Sequence, residues 1–167
     1  MRYALIGLAI LVGAAGLFVL WGFFLPATTE IRRQADLAAP LDRVFALVTD
    51  VAGQSAWRSD VGSVSMAPDG RAWVETAPDG STIAFRTTAL EQGRLFAIAY
   101  QSSRGFEGVW EGRFEALPNG TRLDLMERVT IQSPITRALG RLFAPPGAHA
   151  DLYLKDLEAA LAKPPAQ

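Results

Sequence analysis

Two alternating runs of residues, joined by a Pro-Asn-Gly turn, constrain the fold of this chain more than any other stretch. In each run the side chains of one face are apolar or glycine, with one exception, Glu127: Phe106, Gly108, Trp110, Gly112 and Phe114, then Leu123, Leu125, Glu127, Val129 and Ile131. Side chains alternate across a strand, and Asn119-Gly120 favours a tight hairpin turn. The sequence therefore predicts a long antiparallel hairpin with a wide apolar face that carries a single carboxylate.

Further glycine turns divide the preceding residues into strands of similar length. The turns are Asp69-Gly70, Asp79-Gly80, Gln92-Gly93 and Arg104-Gly105. Together with the hairpin they separate six predicted strands, at 61–66, 72–76, 82–89, 95–101, 106–116 and 121–131. Strands joined by such short loops pair antiparallel in sequence order. An alternating stretch at 30–38 adds a seventh strand, in which Arg33 falls on the apolar face.

Helical patterns lie before and after these six strands. Leu41, Val44, Phe45 and Val48 form an amphipathic stripe, and residues 51–57 suggest a second, shorter helix. At the C-terminal end Ser133-Pro134 is typical of a helix start, and Pro145-Pro146 must break or kink that helix. Its apolar residues are Ile135, Ala138, Leu139 and Leu142, followed by Ala150, Leu154, Leu157 and Leu161. We predict an α+β fold in which a seven-stranded antiparallel sheet wraps around this C-terminal helix.

The first 27 residues have a different character. Residues 3–25 contain no charged side chain and are long enough, as a helix, to cross the hydrocarbon core of a bilayer. Trp21, Phe23 and Phe24 gather at the end of the segment, where aromatic side chains favour the membrane interface. A cleaved signal peptide is the alternative, but its apolar region would be unusually long. We predict a single-pass membrane anchor at 1–27; Arg2 and the downstream arginines leave its orientation open.

Composition excludes several classes of function. The net charge of −1 gives no basic excess for nucleic-acid phosphates, so we expect no nucleic-acid partner. The chain has no cysteine and a single histidine, His149, so we expect neither a metal site nor a disulfide. No phosphate-binding loop or Ser-His-Asp set is present, and we expect no cofactor. Lys155 and Lys163 are the only lysines, a bias that favours a GC-rich bacterial genome.

Three stretches resemble a known superfamily. They are Ala39-Pro40 through Val44-Phe45 and Thr49-Asp50 to Trp57, the hairpin from Trp110 to Arg122, and 154–158 in the closing helix. They resemble the helix-grip superfamily (SRPBCC), which includes START lipid-binding domains, plant pathogenesis-related proteins and polyketide cyclase/dehydrase-like proteins. The resemblance implies a helix-grip domain at 28–163, after the anchor and before a short tail at 164–167.

The resemblance allows three functions. The favoured one is a membrane-anchored START-like domain that binds a hydrophobic small molecule or lipid in an internal cavity, without catalysis. The second is an enzyme of the polyketide cyclase/dehydrase type that uses Glu, Tyr and Arg side chains of the pocket. The third is a non-catalytic protein that binds a partner through its sheet edge or helix; a fully packed interior would favour it.

The candidate site residues lie on the apolar faces. Glu127 is the candidate catalytic acid or base, because a carboxylate on an apolar face loses its water. The alternative is an ion pair between Glu127 and Arg33, which could also orient the polar end of a ligand. The predicted ligand-binding residues are Arg33, Trp57, Phe85, Trp110, Phe114, Leu125 and Glu127. Tyr100 and Arg86 are second-rank candidates, and we place His149 with Tyr153 on the surface flank of the last helix.

Overall fold

A computed structural model describes residues 2–143 and 145–163. The elements follow the predicted order: α1 (Arg2–Phe24), β1 (Thr28–Leu37), α2 (Leu41–Thr49), a 3₁₀ helix (Val51–Ala56), β2 (Ser63–Met66), β3 (Ala72–Thr76), β4 (Thr82–Glu91), β5 (Leu95–Ser102), β6 (Phe106–Leu117), β7 (Gly120–Ile131), α3 (Pro134–Phe143) and α4 (Ala148–Leu161). The proposed tail at 164–167 lies outside the described residues.

The seven strands form one antiparallel sheet in the order β1-β7-β6-β5-β4-β3-β2. Strands β2 to β7 therefore follow one another as a meander, and β1 closes the β7 edge. The central hairpin is confirmed, with Trp110 opposite Glu127 and Phe114 opposite Leu123. The turn differs from the predicted Asn-Gly pair: Leu117 already pairs with Gly120, so Pro118 and Asn119 form the loop. Proline suits this position because its ring fixes φ near −65°.

The main core lies between the inner face of the sheet and two helices. Phe45 of α2 packs edge-on against Phe114 of β6, with ring centroids 5.1 Å apart. Leu157 of α4 and Leu123 of β7 are completely buried in the same cluster. Burying a leucine side chain contributes about 1.5–3 kcal/mol to the free energy of unfolding, so such contacts hold the two helices against the sheet.

The C-terminal helical region is two separate helices, with Pro145 and Pro146 between them. The Ser133 hydroxyl accepts a hydrogen bond from the Thr136 amide and caps α3, as the sequence indicates. The predicted break at Pro145-Pro146 is therefore confirmed. Within α3 Ala138 is buried, whereas Ile135, Leu139 and Leu142 are exposed.

Helix α1 extends away from the sheet and is the one described helix long and apolar enough to cross a membrane. Gly22 is its only buried residue, and it lies against the first residue of α3. A side chain at position 22 would overlap the backbone carbonyl of Pro134, so glycine permits this close approach. The end of α1 is thereby fixed to α3.

Candidate functional site

A large cavity lies between the inner face of the sheet, α3 and α4. Its volume is about 630 Å³, within the range typical of small-molecule sites. Apolar and aromatic side chains of β4, β5, β6 and β7 form much of its wall: Ile83, Phe85, Phe96, Ile98, Tyr100, Phe106, Trp110, Val129 and Ile131. The interior is therefore not fully packed, contrary to what a purely structural domain would require.

Tyr100 and Glu127 form a hydrogen-bonded pair in the cavity wall. The Tyr100 hydroxyl donates to Glu127 Oε1 at 2.7 Å, and both side chains are buried. Burial, and then the charge of Glu127, raise the pKa of Tyr100 far above its ordinary value, so this phenol is a neutral donor. Gly108 lies directly opposite Tyr100 and leaves room for its ring.

The predicted ion pair between Arg33 and Glu127 is wrong. Arg33 lies on the inner face of β1, as expected, but opposite Leu125 rather than Glu127. Its guanidinium reaches past the sheet to Asp151 of α4, with Nε 2.6 Å from Oδ1 and Nη2 3.1 Å from Oδ2. The contact is largely exposed, and Arg33 lowers the pKa of Asp151 through this hydrogen bond. A long arginine side chain reaches solvent in this way, whereas Glu127 remains inside with Tyr100.

The other predicted ligand-binding residues divide into two groups. Phe85, Trp110 and Glu127 line the cavity. Phe114 and Leu125 lie instead in the packed core. Trp57 does not line the cavity but packs against Tyr153, which does, with ring centroids 5.5 Å apart. That any of these residues contacts a ligand remains a prediction.

Two further expectations need correction, one for Arg86 and one for Tyr153. Arg86 is exposed on the outer face of β4, so it cannot reach the cavity. Tyr153, which we placed on the surface flank of α4, is buried against Trp110 with ring centroids 5.7 Å apart. His149 is exposed as expected, but it stands at the cavity mouth, 3.3 Å from Asp60.

A buried polar cluster in the cavity wall escaped the sequence analysis. Arg58 Nη1 donates to Gln54 Oε1 at 2.7 Å and lies 3.1 Å from Glu75 Oε2, while Trp73 Nε1 donates to the same carboxylate at 3.0 Å. Glu75 is only 4% exposed. The alternation of Trp73 and Glu75 along β3 was the available signal, since it places both on one face.

Asp60 completes the pairing of Arg58 at the edge of this cluster. Arg58 Nη2 lies 2.9 Å from Asp60 Oδ2, and Nε donates to Oδ1 at 3.1 Å. Burial alone would lower the pKa of Arg58, but Glu75 and then Asp60 outweigh it, and the pKa is raised. For Asp60 burial opposes ionisation, yet the hydrogen bond from Arg58 and its charge, together with His149, lower the pKa below the ordinary 3.8.

Replacing Asp60 with asparagine is expected to reduce the free energy of unfolding by about 1.5–3 kcal/mol at neutral pH, the value of a hydrogen bond to a charged group. Because the folded-state pKa of Asp60 is depressed, its contribution is present above the ordinary value of 3.8 and is lost as pH falls through the folded pKa. Urea titrations should therefore show a difference between variant and wild type at neutral pH that shrinks below about pH 4. A difference that grows in acid would contradict this assignment.

The mouth of the cavity lies under α3 and the loop that follows it. Four basic side chains line it: Arg104, Arg137, Arg141 and His149. Within the described residues no group of three or more Asp, Glu or His side chains could hold a metal ion. The cavity thus combines an apolar interior, two buried hydrogen-bonded groups and a basic rim.

A helix-grip domain with an internal ligand-binding pocket is the class that this fold and this cavity define. The chain belongs to the family described as polyketide cyclase/dehydrase and lipid transport, whose model matches residues 28–163. The resemblance to SRPBCC and START-like proteins is thereby confirmed, as is the fold class.

Solved structures with the same fold include both enzymes and proteins of the START superfamily. The Zhui aromatase/cyclase from a Streptomyces species is 16% identical, with a TM-score of 0.69 over 80% of this chain and 93% of its own. A START superfamily protein from Mycobacterium smegmatis is 14% identical, with a TM-score of 0.61 over 79% of this chain and 96% of its own. No curated protein sequence matches the chain. At these identities the likeness shows the fold alone.

Proposed function

We propose that this protein is a membrane-anchored START-like domain that binds a hydrophobic small molecule or lipid in its internal cavity. The observation that carries the proposal is the 630 Å³ cavity with its apolar and aromatic wall. A cavity of this character is the usual form of a site for an apolar ligand, because burial of the ligand removes apolar surface from water. Helix α1 supports the anchor, since it is apolar throughout and long enough to cross a bilayer.

The positions of the polar groups favour one orientation of a ligand in the cavity. Glu127 accepts a hydrogen bond from Tyr100, and Arg58 and Glu75 form an ion pair, so these wall groups have partners within the protein and need none from an apolar segment of a ligand. The rim, by contrast, carries arginine side chains next to the opening. This arrangement suits an amphiphile with its apolar part inside and its polar or anionic end at the mouth.

Retention of apolar molecules by the full chain tests the proposal. The protein is purified in detergent, incubated with a membrane lipid extract, and examined by native mass spectrometry after release from the micelle. Wild type should retain a bound molecule at one per chain. In the variant Ile98→Trp the indole occupies the cavity, and retention should fall about tenfold, the effect of about 1.4 kcal/mol of lost affinity.

Val109→Trp is the matched control, because Val109 lies on the neighbouring strand but is 37% exposed on the outer face of the sheet. It should retain the ligand as wild type does, and thermal unfolding should show that both variants are folded. Equal retention by Ile98→Trp and Val109→Trp would mean that bound lipid sits outside the cavity, and no retention by wild type would count against ligand binding itself.

A cyclase-type reaction is a second candidate, favoured by one observation: a neutral phenol and a carboxylate 2.7 Å apart in the cavity wall. Tyr100 could donate to a developing enolate, and Glu127 could accept a proton. Turnover of a linear poly-β-keto thioester by wild type, lost in Glu127→Gln while ligand retention persists, would establish catalysis. An unchanged rate in Glu127→Gln would remove Glu127 from the mechanism.

A further inference from the structure

Helix α3 carries four exposed apolar side chains, two of which, Leu139 and Phe143, also border the cavity mouth. Ile135, Leu139, Leu142 and Phe143 are 49%, 44%, 57% and 80% exposed. Their spacing of four, three and one residues places them on one side of a helix. A row of four large exposed apolar side chains is uncommon on a water-facing surface and indicates a contact surface for an apolar partner.

This face is continuous with the end of α1. Gly22 of α1 is buried against Pro134, so α3 begins where the membrane-length helix ends. Trp21, Phe23 and Phe24, near the same end, are also exposed. Aromatic side chains concentrate where a spanning helix leaves the hydrocarbon core. A bilayer crossed by α1 therefore has its surface at the level of α3.

The charged residues of α3 fit the same placement. Arg137 and Arg141, one turn apart, line the cavity mouth. Neither belongs to an ion pair within residues 2–143 and 145–163. Arginine next to an apolar helix face is typical of helices that lie in the membrane interface, where phosphate groups accept its hydrogen bonds.

We propose that α3 is seated in the interfacial layer of the bilayer that α1 crosses, so that the cavity mouth opens onto the membrane. The four apolar side chains lie among the upper parts of the acyl chains, to a depth of about 5–10 Å, and the two arginines lie at the level of the phosphates. The inference rests on the proposed function, because it needs α1 to be inserted.

The placement has a consequence for ligand exchange. A mouth formed by α3, residues 145–149 and residues 25–27 faces the layer in which an amphiphile already resides. An apolar molecule then moves from bilayer to cavity without exposing its apolar surface to water. The bilayer is both the surface that covers α3 and the source of the ligand.

Site-specific fluorescence in vesicles tests the inference, and the chain suits it because it contains no cysteine. Single cysteines are introduced into the full chain by Leu142→Cys, Leu90→Cys and Leu11→Cys, and each carries an environment-sensitive label. Leu90 is the matched control, since it is 57% exposed, as Leu142 is, but lies on β4. Leu11 lies in the middle of α1 and reports insertion of the anchor. The vesicles contain phosphatidylcholine and phosphatidylglycerol, either without bromine or with bromine both on the upper acyl chain and near its terminal methyl.

The label at position 142 should shift to the blue and lose most of its emission in brominated vesicles, whereas the label at 90 should be unaffected. Quenching at 11 but not at 142 would overturn the inference and leave the anchor standing. Absence of quenching at 11 would remove the anchor and the inference together. A blue shift at 142 without quenching would mean that protein, such as a second copy of the chain, covers α3, and this also overturns the inference.

Discussion

Replacing Arg58 with methionine is expected to lower the free energy of unfolding by about 3–5 kcal/mol, the cost of breaking a buried ion pair from one side. Methionine fills much of the same space but removes the cation that faces Glu75, which is 4% exposed. Among the described residues, Glu75 then retains one hydrogen-bond donor, Trp73 Nε1. Equilibrium unfolding in urea measures the loss, and the slope of the titration should not change.

Two further variants separate this explanation from a simple packing defect. Arg58→Met combined with Glu75→Leu removes both charges and should recover part of the lost stability, because the carboxylate of Glu75 is no longer buried without a cation, although Asp60 and Trp73 still lack their partners. Arg122→Met removes an arginine whose pair with Asp36 is on the surface, and it should cost far less stability than Arg58→Met, because solvent screens an exposed pair. If the double variant is as unstable as Arg58→Met alone, the buried charge of Glu75 is not the cause.

Replacing Gly108 with alanine is expected to destabilise the protein by about 1–3 kcal/mol and to separate Tyr100 from Glu127. A Cβ at position 108 would lie 2.5 Å from the backbone carbonyl oxygen of Arg128 and 2.6 Å from both Cζ and the hydroxyl oxygen of Tyr100. The pairing of β6 with β7 must therefore adjust and the ring must move, and the hydrogen bond to the buried Glu127 is lost with that movement. Urea unfolding measures the stability, and ligand retention by native mass spectrometry reports the altered cavity wall.

Coupling with Tyr100→Phe shows whether Gly108→Ala acts through the hydroxyl of Tyr100. The double variant should be less destabilised than the sum of the two single variants, because the same hydrogen bond cannot be lost twice. Gly140→Ala is the matched control: its new methyl group meets only Ile131 Cδ1, at 3.9 Å. That change should be neutral or slightly stabilising, since alanine favours a helix interior over glycine. Full additivity of Gly108→Ala and Tyr100→Phe would contradict the explanation.

The two predictions concern different parts of one cavity. Arg58 and Glu75 link the 3₁₀ helix region to β3, whereas Tyr100 and Glu127 link β5 to β7. A stable apolar cavity needs its polar wall groups to be mutually satisfied, because an unpaired group would draw water or collapse the site. The proposed binding function thus depends on hydrogen bonds and an ion pair within the cavity wall.

The sequence by itself determined the local structure and the faces of the strands. Alternation in 106–131 placed Trp110 and Glu127 on the inner face, because side-chain direction in a strand follows from position alone. Short glycine turns likewise led to the order of β2 to β7. The apolar segment before residue 28 stood out for the same reason, since length and composition suffice to recognise a membrane-length helix.

The tertiary structure decided which side chains meet. Arg33 and Glu127 share an inner face, but the register puts Arg33 opposite Leu125, and its long side chain pairs with Asp151 of a helix far along the chain. The partnership of Arg58 with Glu75 likewise joins residues 17 positions apart on different elements. Periodicity predicts on which face of a strand a side chain lies, but not which side chain of another element it contacts. Distance in space, and hence charge pairing, follows only from the packing of the whole domain.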